Sequence, residues 1–136
     1  MADIAIFYVS VHHKNTEKLL KNMCSGLEID LYNILENPDV DISKYKVFGL
    51  ASGIYKSDYH KKVYEFLEKN INLPKVSFLI YTSGIGGKNY YKKVEKFLNE
   101  KEIKNIGVFQ TKGYDTFGIL KYIGGISKNT RMKMIY

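Results

Sequence analysis

Three apolar segments of this chain run almost without interruption: Ile4–Val9 (Ile-Ala-Ile-Phe-Tyr-Val), Lys46–Ala51 and Val76–Tyr81. A strand with one face in water alternates apolar and polar residues, whereas a strand covered on both faces is apolar throughout. Two weaker segments, Leu27–Leu31 and Ile103–Phe109, complete a set of five. Between them lie stretches with apolar residues at helical spacing. Asn15–Met23 carries Leu19, Leu20 and Met23, and Tyr59–Asn70 carries Tyr59, Val63, Phe66 and Leu67. Tyr90–Glu100 carries Tyr90, Tyr91, Val94, Phe97 and Leu98. Each pattern sets one apolar stripe against a sheet. Residues 34–45, with Pro38 and several acids, read as a loop or one short turn. Strands alternating with helices predict an α/β chain, doubly wound on five parallel strands.

The first apolar run stops at Ser10, and polar residues lead through Thr16 into the first helical pattern. A loop between a strand and a helix start offers backbone N–H groups at the positive end of the helix dipole, where a phosphate can sit. Neither GxGxxG nor GxxxxGK[ST] is present, so a phosphate here would rest on hydroxyls, amide and backbone, with Ser10, Asn15 and Thr16 as the side chains. The same residues also suit an ordinary turn in which Asn15 or Thr16 merely caps the helix.

The chain has 136 residues, the length of one domain (1–136) with a full core. No apolar run approaches the ~20 residues of a membrane span, and Met1 leads almost directly into a strand with no secretory signal. The expected setting is cytoplasmic. The single Cys24 excludes an intrachain disulfide. His12, His13 and His60 lack the Cys/His spacing of a zinc site, so no metal is expected.

Charge divides unevenly. Residues 1–68 hold 8 basic and 10 acidic side chains, and residues 69–136 hold 13 and 4. All the cations but Arg131 are Lys, scattered along helix faces, which reads as a solvated surface and not as a nucleic-acid site. Asp115 reads as a turn residue and not as a catalytic acid. No pair of residues stands out as catalytic.

Two segments repeat. Ser52-Gly-Ile-Tyr-Lys-Ser-Asp-Tyr-His-Lys-Lys-Val63 aligns without gaps on Ser83-Gly-Ile-Gly-Gly-Lys-Asn-Tyr-Tyr-Lys-Lys-Val94 at an offset of 31. Each places a Ser-Gly-Ile turn at the carboxyl end of a strand. Open α/β sheets bind ligands outside those ends, near the point where strand order reverses.

At these residues the chain resembles the flavodoxins. The loop Ser10 to Lys18 is similar to the FMN-phosphate loop of that family, whose common form is T/S-x-T-x-N-T. Gly49-Leu-Ala-Ser-Gly-Ile-Tyr55 resembles the first flavin-flanking loop, and Thr82-Ser-Gly-Ile-Gly-Gly87 the second. Gly113-Tyr-Asp-Thr-Phe-Gly-Ile-Leu-Lys-Tyr-Ile-Gly-Gly-Ile126 resembles a segment of a clostridial and archaeal branch. The resemblance implies a flavodoxin-like sheet of strand order 2-1-3-4-5 that binds FMN noncovalently and transfers single electrons between redox proteins. It implies that Ser10, His12, His13, Lys14, Asn15 and Thr16 surround the phosphate. Ser52, Gly53, Ile54 and Tyr55 would border one side of the ring, and Thr82, Ser83, Gly84 and Gly86 its polar edge. With no Trp in the chain, stacking falls to Tyr: Tyr55 first, then Tyr90 or Tyr114.

Three departures accompany the resemblance. His12 and His13 stand where the common form has Gly and Thr, and a protonated His adds charge-assisted hydrogen bonds to a phosphate. The chain is basic where many flavodoxins are acidic, which favours the reduced anionic flavin and acidic redox partners. The C-terminal helix is short or missing, since only Ile119–Ile123 looks helical before Gly124-Gly125. One sheet face is therefore expected to need cover from residues 117–136 or from a second subunit in a homodimer. A flavin-dependent enzyme on the same fold (a quinone reductase or a protoporphyrinogen oxidase) and a flavin-free binding module remain alternatives. The short chain favours a carrier over a substrate-converting enzyme.

Overall fold

The computed structural model describes residues 3–9, 20–21, 28–36, 40–55, 58–82 and 90–111. Five strands form one parallel sheet: β1 (Ile4–Val9), β2 (Ile29–Asn33), β3 (Val47–Tyr55), β5 (Val76–Thr82) and β6 (Lys104–Thr111). Their spatial order is β2-β1-β3-β5-β6. This is the expected 2-1-3-4-5 arrangement with one short strand added in chain order. That addition, β4 (Asp58–Tyr59), turns back antiparallel on the end of β3, pairing Ile54 with Tyr59 and Tyr55 with Asp58. Helix α1 (Lys61–Lys69) follows β4, and α2 (Lys92–Glu100) lies between β5 and β6.

The continuous apolar runs have a direct cause. Along β1, Ala5, Phe7 and Val9 enter one core cluster while Ile4, Ile6 and Tyr8 enter another, and all six residues are buried. The same alternation places Phe48, Leu50, Leu79 and Tyr81 on the first face and Val47, Ala51, Phe78 and Ile80 on the second. Side chains on a strand point to opposite faces in turn, so a sheet covered on both sides favours apolar residues at every position, and its buried Ser52 and Ser77 hydroxyls are hydrogen-bonded to main-chain carbonyls.

The first face is closed by both helices, through Val63, Phe66 and Leu67 of α1 and Val94 and Leu98 of α2. A 3-10 turn at Ile42–Lys44 adds Ile42, with Tyr45 just beyond it. Asp41 caps that turn, accepting from Ser43 N–H at 3.1 Å and from Ser43 Oγ at 2.6 Å. On the second face Leu20 joins the strand residues. Ile4, Ile6, Phe78 and Ile80 on that face are all fully buried within one chain. The cover expected from residues 117–136 or from a second subunit falls outside the described residues.

Gly49 serves packing. A Cβ there would lie 2.5 Å from Cε2 of Phe78, its register partner on β5. The ring takes the space that a side chain would need.

Boundaries moved where pairing overrode the sequence pattern. β2 runs over Ile29–Asn33 and not Leu27–Leu31, in register with Ile4–Tyr8. β3 continues four residues beyond Ala51 because Ser52 and Gly53 still pair with β5, and Ile54 and Tyr55 pair with β4. Tyr59, expected as the first residue of a helix, lies in β4, so α1 begins at Lys61. Tyr90 and Tyr91 sit in the turn before α2. Of the expected helix Asn15–Met23, Leu20 and Lys21 are described, and both are helical.

Candidate functional site

The strand order reverses between β1 and β3. From β1 the chain steps to β2 on one side, then crosses to β3 and continues away through β5 and β6. Val9, the last residue of β1, stands opposite Ser52. Ser52 stands opposite Tyr81, and Tyr81 opposite Gln110. One step further, Gly53 faces Thr82 and Thr82 faces Thr111. The end of β1, the Ser52-Gly53 stretch of β3 and the end of β5 therefore lie at one level, on adjacent strands spaced about 4.8 Å apart. Of the three segments singled out from sequence, the first follows Val9, the second contains Ser52 and Gly53, and the third begins at Thr82. Neither level carries a charged residue.

Ser52 is fully buried. Its hydroxyl donates to the Gly53 carbonyl and accepts the His60 N–H at 3.2 Å. The side chain is thus engaged inside the β3–β4–α1 corner, and what this stretch presents at the edge is main chain. Ile54 and Tyr55 close β3 and Thr82 closes β5. Ser10, His12, His13, Lys14, Asn15, Thr16, Ser83, Gly84, Gly86 and Tyr114 lie outside the described residues.

The corner itself is held by three side chains. Tyr59 is buried and donates its hydroxyl to the Ile80 carbonyl at 2.7 Å. Burial, then the neighbouring Tyr81, Tyr64 and Asp58, push its phenol well above the ordinary tyrosine range. Asp58 Oδ1 accepts from Tyr59 N–H at 2.7 Å and from the Tyr64 hydroxyl at 2.6 Å. Its other oxygen meets Lys93 of α2 at 3.4 Å, and that ammonium also lies 5.2 Å from the Tyr64 ring centre. Burial and the Asp58 bond raise the Tyr64 phenol. His60 caps α1: its Nδ1 accepts the Lys62 N–H at 3.1 Å. Burial, with Lys61 and Lys62 beside it, lowers the imidazole below its usual range, while Glu65 opposes them. The sequence reading assigned no role to Asp58 or to this cap. No local signal marks His60 as a cap, because the helical pattern already begins at Tyr59.

A tyrosine cluster lines the other side of the same edge. The Tyr81 ring packs edge-on against Tyr59 and Tyr90, at centroid distances of 6.2 and 6.3 Å, and stacks near Tyr91 at 6.5 Å. Tyr90 therefore spends its ring on this cluster. Burial, with Tyr91 and Tyr90 nearby, raises the Tyr81 phenol. A shallow cavity of about 330 Å³ lies beside α1, lined by Ile34, Leu35, Lys62, Glu65, Phe66 and Lys69. It flanks the strand-end row without containing it. Among the described residues no group of three His, Cys, Asp or Glu side chains is placed to hold a metal, and no helix is long and apolar enough to cross a membrane.

The repeated segments behave alike at their helical ends. α1 and α2 begin and end 31 positions apart, and the matched Val63 and Val94 are both fully buried. In the sheet the offset is 29, since Ser52 pairs with Tyr81 and Gly53 with Thr82. The first Ser-Gly-Ile thus begins inside the ladder, at Ser52.

No family model matches the chain. It is 39% identical over 127 residues to the uncharacterized protein MJ0298 of Methanocaldococcus jannaschii, covering 91% of this chain and 84% of that protein. Among solved structures it is similar to a flavodoxin from the domain Archaea, with TM-score 0.70 and 14% identity over 94% of this chain and 98% of the other. It is also similar to a flavoprotein in complex with FMN from Lactobacillus acidophilus, with TM-score 0.66 and 14% identity over 81% and 93% of the two chains. At such identity the structural likeness speaks for the fold, and the fold is flavodoxin-like.

Proposed function

The chain belongs to the same family as the Methanocaldococcus jannaschii protein, on a flavodoxin-like fold, and from that premise we propose that it binds FMN noncovalently and passes electrons between redox proteins. The observation that carries this reading is the in-register row Val9–Ser52–Tyr81 at the point where strand order reverses, which brings parts of three candidate segments side by side. Doubly wound sheets bind ligands in that crevice. The residues there suit a flavin. Both levels of the row are uncharged, as the buried edge of a neutral aromatic ring requires, and Gly53 allows main chain to come close. The likeness to a flavoprotein solved with FMN supports the same ligand.

Ser10, His12, His13, Lys14, Asn15 and Thr16 would hold the phosphate by hydroxyl, amide, imidazole and ammonium groups. Ser52, Gly53, Ile54 and Tyr55 would flank one side of the ring, and Thr82, Ser83, Gly84 and Gly86 its polar edge. Tyr55 and Tyr114 would supply the aromatic faces. When bound, the flavin supplies the one-electron chemistry. The chain's own part is to orient it, shield it from water and set its potential. The lysine-rich C-terminal half suits acidic redox partners and fits a cytoplasmic setting.

The test is a visible absorption spectrum of the protein as purified, followed by titration into free FMN. Flavin absorbance, or stoichiometric quenching of FMN fluorescence, supports the reading. A colourless protein that leaves FMN fluorescence unchanged refutes it, and turnover of quinones with NAD(P)H would replace the carrier with an enzyme.

A further inference from the structure

His60 stands at the junction between the strand-end row and α1. Its main-chain N–H donates to Ser52 Oγ at 3.2 Å, and the Ser52 hydroxyl donates in turn to the Gly53 carbonyl. Its Nδ1 accepts the Lys62 N–H at 3.1 Å. A ring nitrogen that accepts carries no proton, so this cap exists only with the imidazole deprotonated at Nδ1. The matching position in the second repeat is Tyr91, which opens α2 with no side-chain cap. One helix start therefore has a titratable cap and its counterpart has none.

We propose that His60 is a positioning residue for the candidate site: its neutral imidazole anchors the first turn of α1, and its main-chain N–H, set by that turn, acts through the Ser52 hydroxyl to hold the Gly53 carbonyl where β3 borders the ligand. The proposal rests on the flavin reading above. Ser52 is fully buried and its hydroxyl has a single proton. The His60 N–H occupies a lone pair of that oxygen and so helps aim the proton at the Gly53 carbonyl. Protonating Nδ1 turns the cap acceptor into a donor facing another donor, which releases the helix start and loosens its hold on Ser52.

The charged groups near the ring set when that happens. Burial comes first, then Lys61 and Lys62 of α1, and all three favour the neutral form; Glu65 of the same helix opposes them. β3 turns the Ser52 hydroxyl toward this corner. β4 contributes Asp58, whose carboxylate is engaged by Tyr59 N–H, the Tyr64 hydroxyl and Lys93. Together these favour the neutral imidazole, the form that the Nδ1 cap requires.

The test compares the wild-type chain with His60→Asn and His60→Ala. FMN is titrated into each at pH 7.5 and 5.0, and the Gly53 and Lys62 amides of the flavin-free proteins are followed by NMR across the same range. Asn caps a helix without titrating. The FMN phosphate and His12 and His13 titrate in every variant, so the difference from His60→Asn isolates His60. Wild type should lose about fivefold more affinity on acidification than His60→Asn, the factor expected for a lost cap. His60→Ala should bind weakly at both pH values. In the flavin-free wild type the Gly53 and Lys62 amides should shift with one common midpoint. Identical pH profiles for wild type and His60→Asn, or a Gly53 amide indifferent to that midpoint, would overturn the proposal. If no variant binds FMN, the flavin reading fails, and the amide titration alone then decides whether His60 governs Gly53.

Discussion

The Tyr59 hydroxyl donates to the Ile80 main-chain carbonyl at 2.7 Å, inside the protein. This one bond ties the two-residue β4 to the middle of β5, and so fixes the corner from which α1 departs. Tyr59→Phe keeps the ring and removes the donor. The expected loss is about 1 kcal/mol, the net worth of such a bond. It should appear as a lower urea midpoint with an unchanged slope. A midpoint equal to wild type would show that the bond adds nothing beyond the packing of the ring.

The tyrosines of this corner should also govern behaviour in alkali. Tyr59, Tyr64 and Tyr81 all have phenols raised by burial before any other cause. In the unfolded chain a tyrosine ionises near pH 10. The stability these groups confer is therefore complete below that pH and is lost as pH rises above it, because only the unfolded state readily gives up the protons. Absorbance titration at 295 nm should show these three tyrosines ionising together, coincident with loss of the circular dichroism signal. Smooth ionisation of all twelve before unfolding would contradict the burial described here.

How much of this was legible in the sequence follows from where local pattern and tertiary pairing agree. Ile4–Val9 was read with its correct bounds, since both faces are covered and no polar residue can intrude. Val76–Thr82 was read to within one residue for the same reason. The Ser-Gly-Ile of β3 looked like a turn, and Gly53 normally argues for one. Its strand nature comes from pairing, of Ser52 and Gly53 with β1 and β5 and of Ile54 with the two-residue β4, which no local periodicity reveals. Tyr59 fits a helical stripe by spacing, yet its hydroxyl finds Ile80, a partner 21 positions away that no local pattern reveals. The candidate edge was legible because three separate segments end in small or hydroxyl residues. The His60–Ser52 bond was not, since it depends on that unseen hairpin.

Gly49→Ala should be costly although the change is one methyl group. The new Cβ would sit 2.5 Å from the Phe78 ring in a fully buried layer. Overpacking of this kind costs roughly 1–3 kcal/mol. Phe78→Leu should relieve part of it, so the double variant should be more stable than the sum of the single losses predicts. Strict additivity in chemical denaturation would show that the ring and Gly49 do not share the space.

Asp58 and Lys93 form an ion pair, but their removal should differ. Lys93 is 75% exposed, so water screens the pair and Lys93→Ala should change stability by about 0.5 kcal/mol or less. Asp58→Ala removes the acceptor for both Tyr59 N–H and the Tyr64 hydroxyl. Its expected cost is about 2 kcal/mol, the range for stranding partly buried donors. Equal losses from the two variants would mean that the salt bridge, and not the hydrogen bonding, holds the corner.

The central claim is that one ligand is held where β1, β3 and β5 end side by side. The most direct measurement is amide chemical-shift mapping during a titration with FMN. The account predicts saturation at one flavin per chain, with the largest shifts at Val9, Ser52, Gly53, Tyr81 and Thr82 and little change at Ile71 or Lys101, which precede the opposite ends of β5 and β6. Shifts clustered away from that row, or none at millimolar FMN, would contradict it.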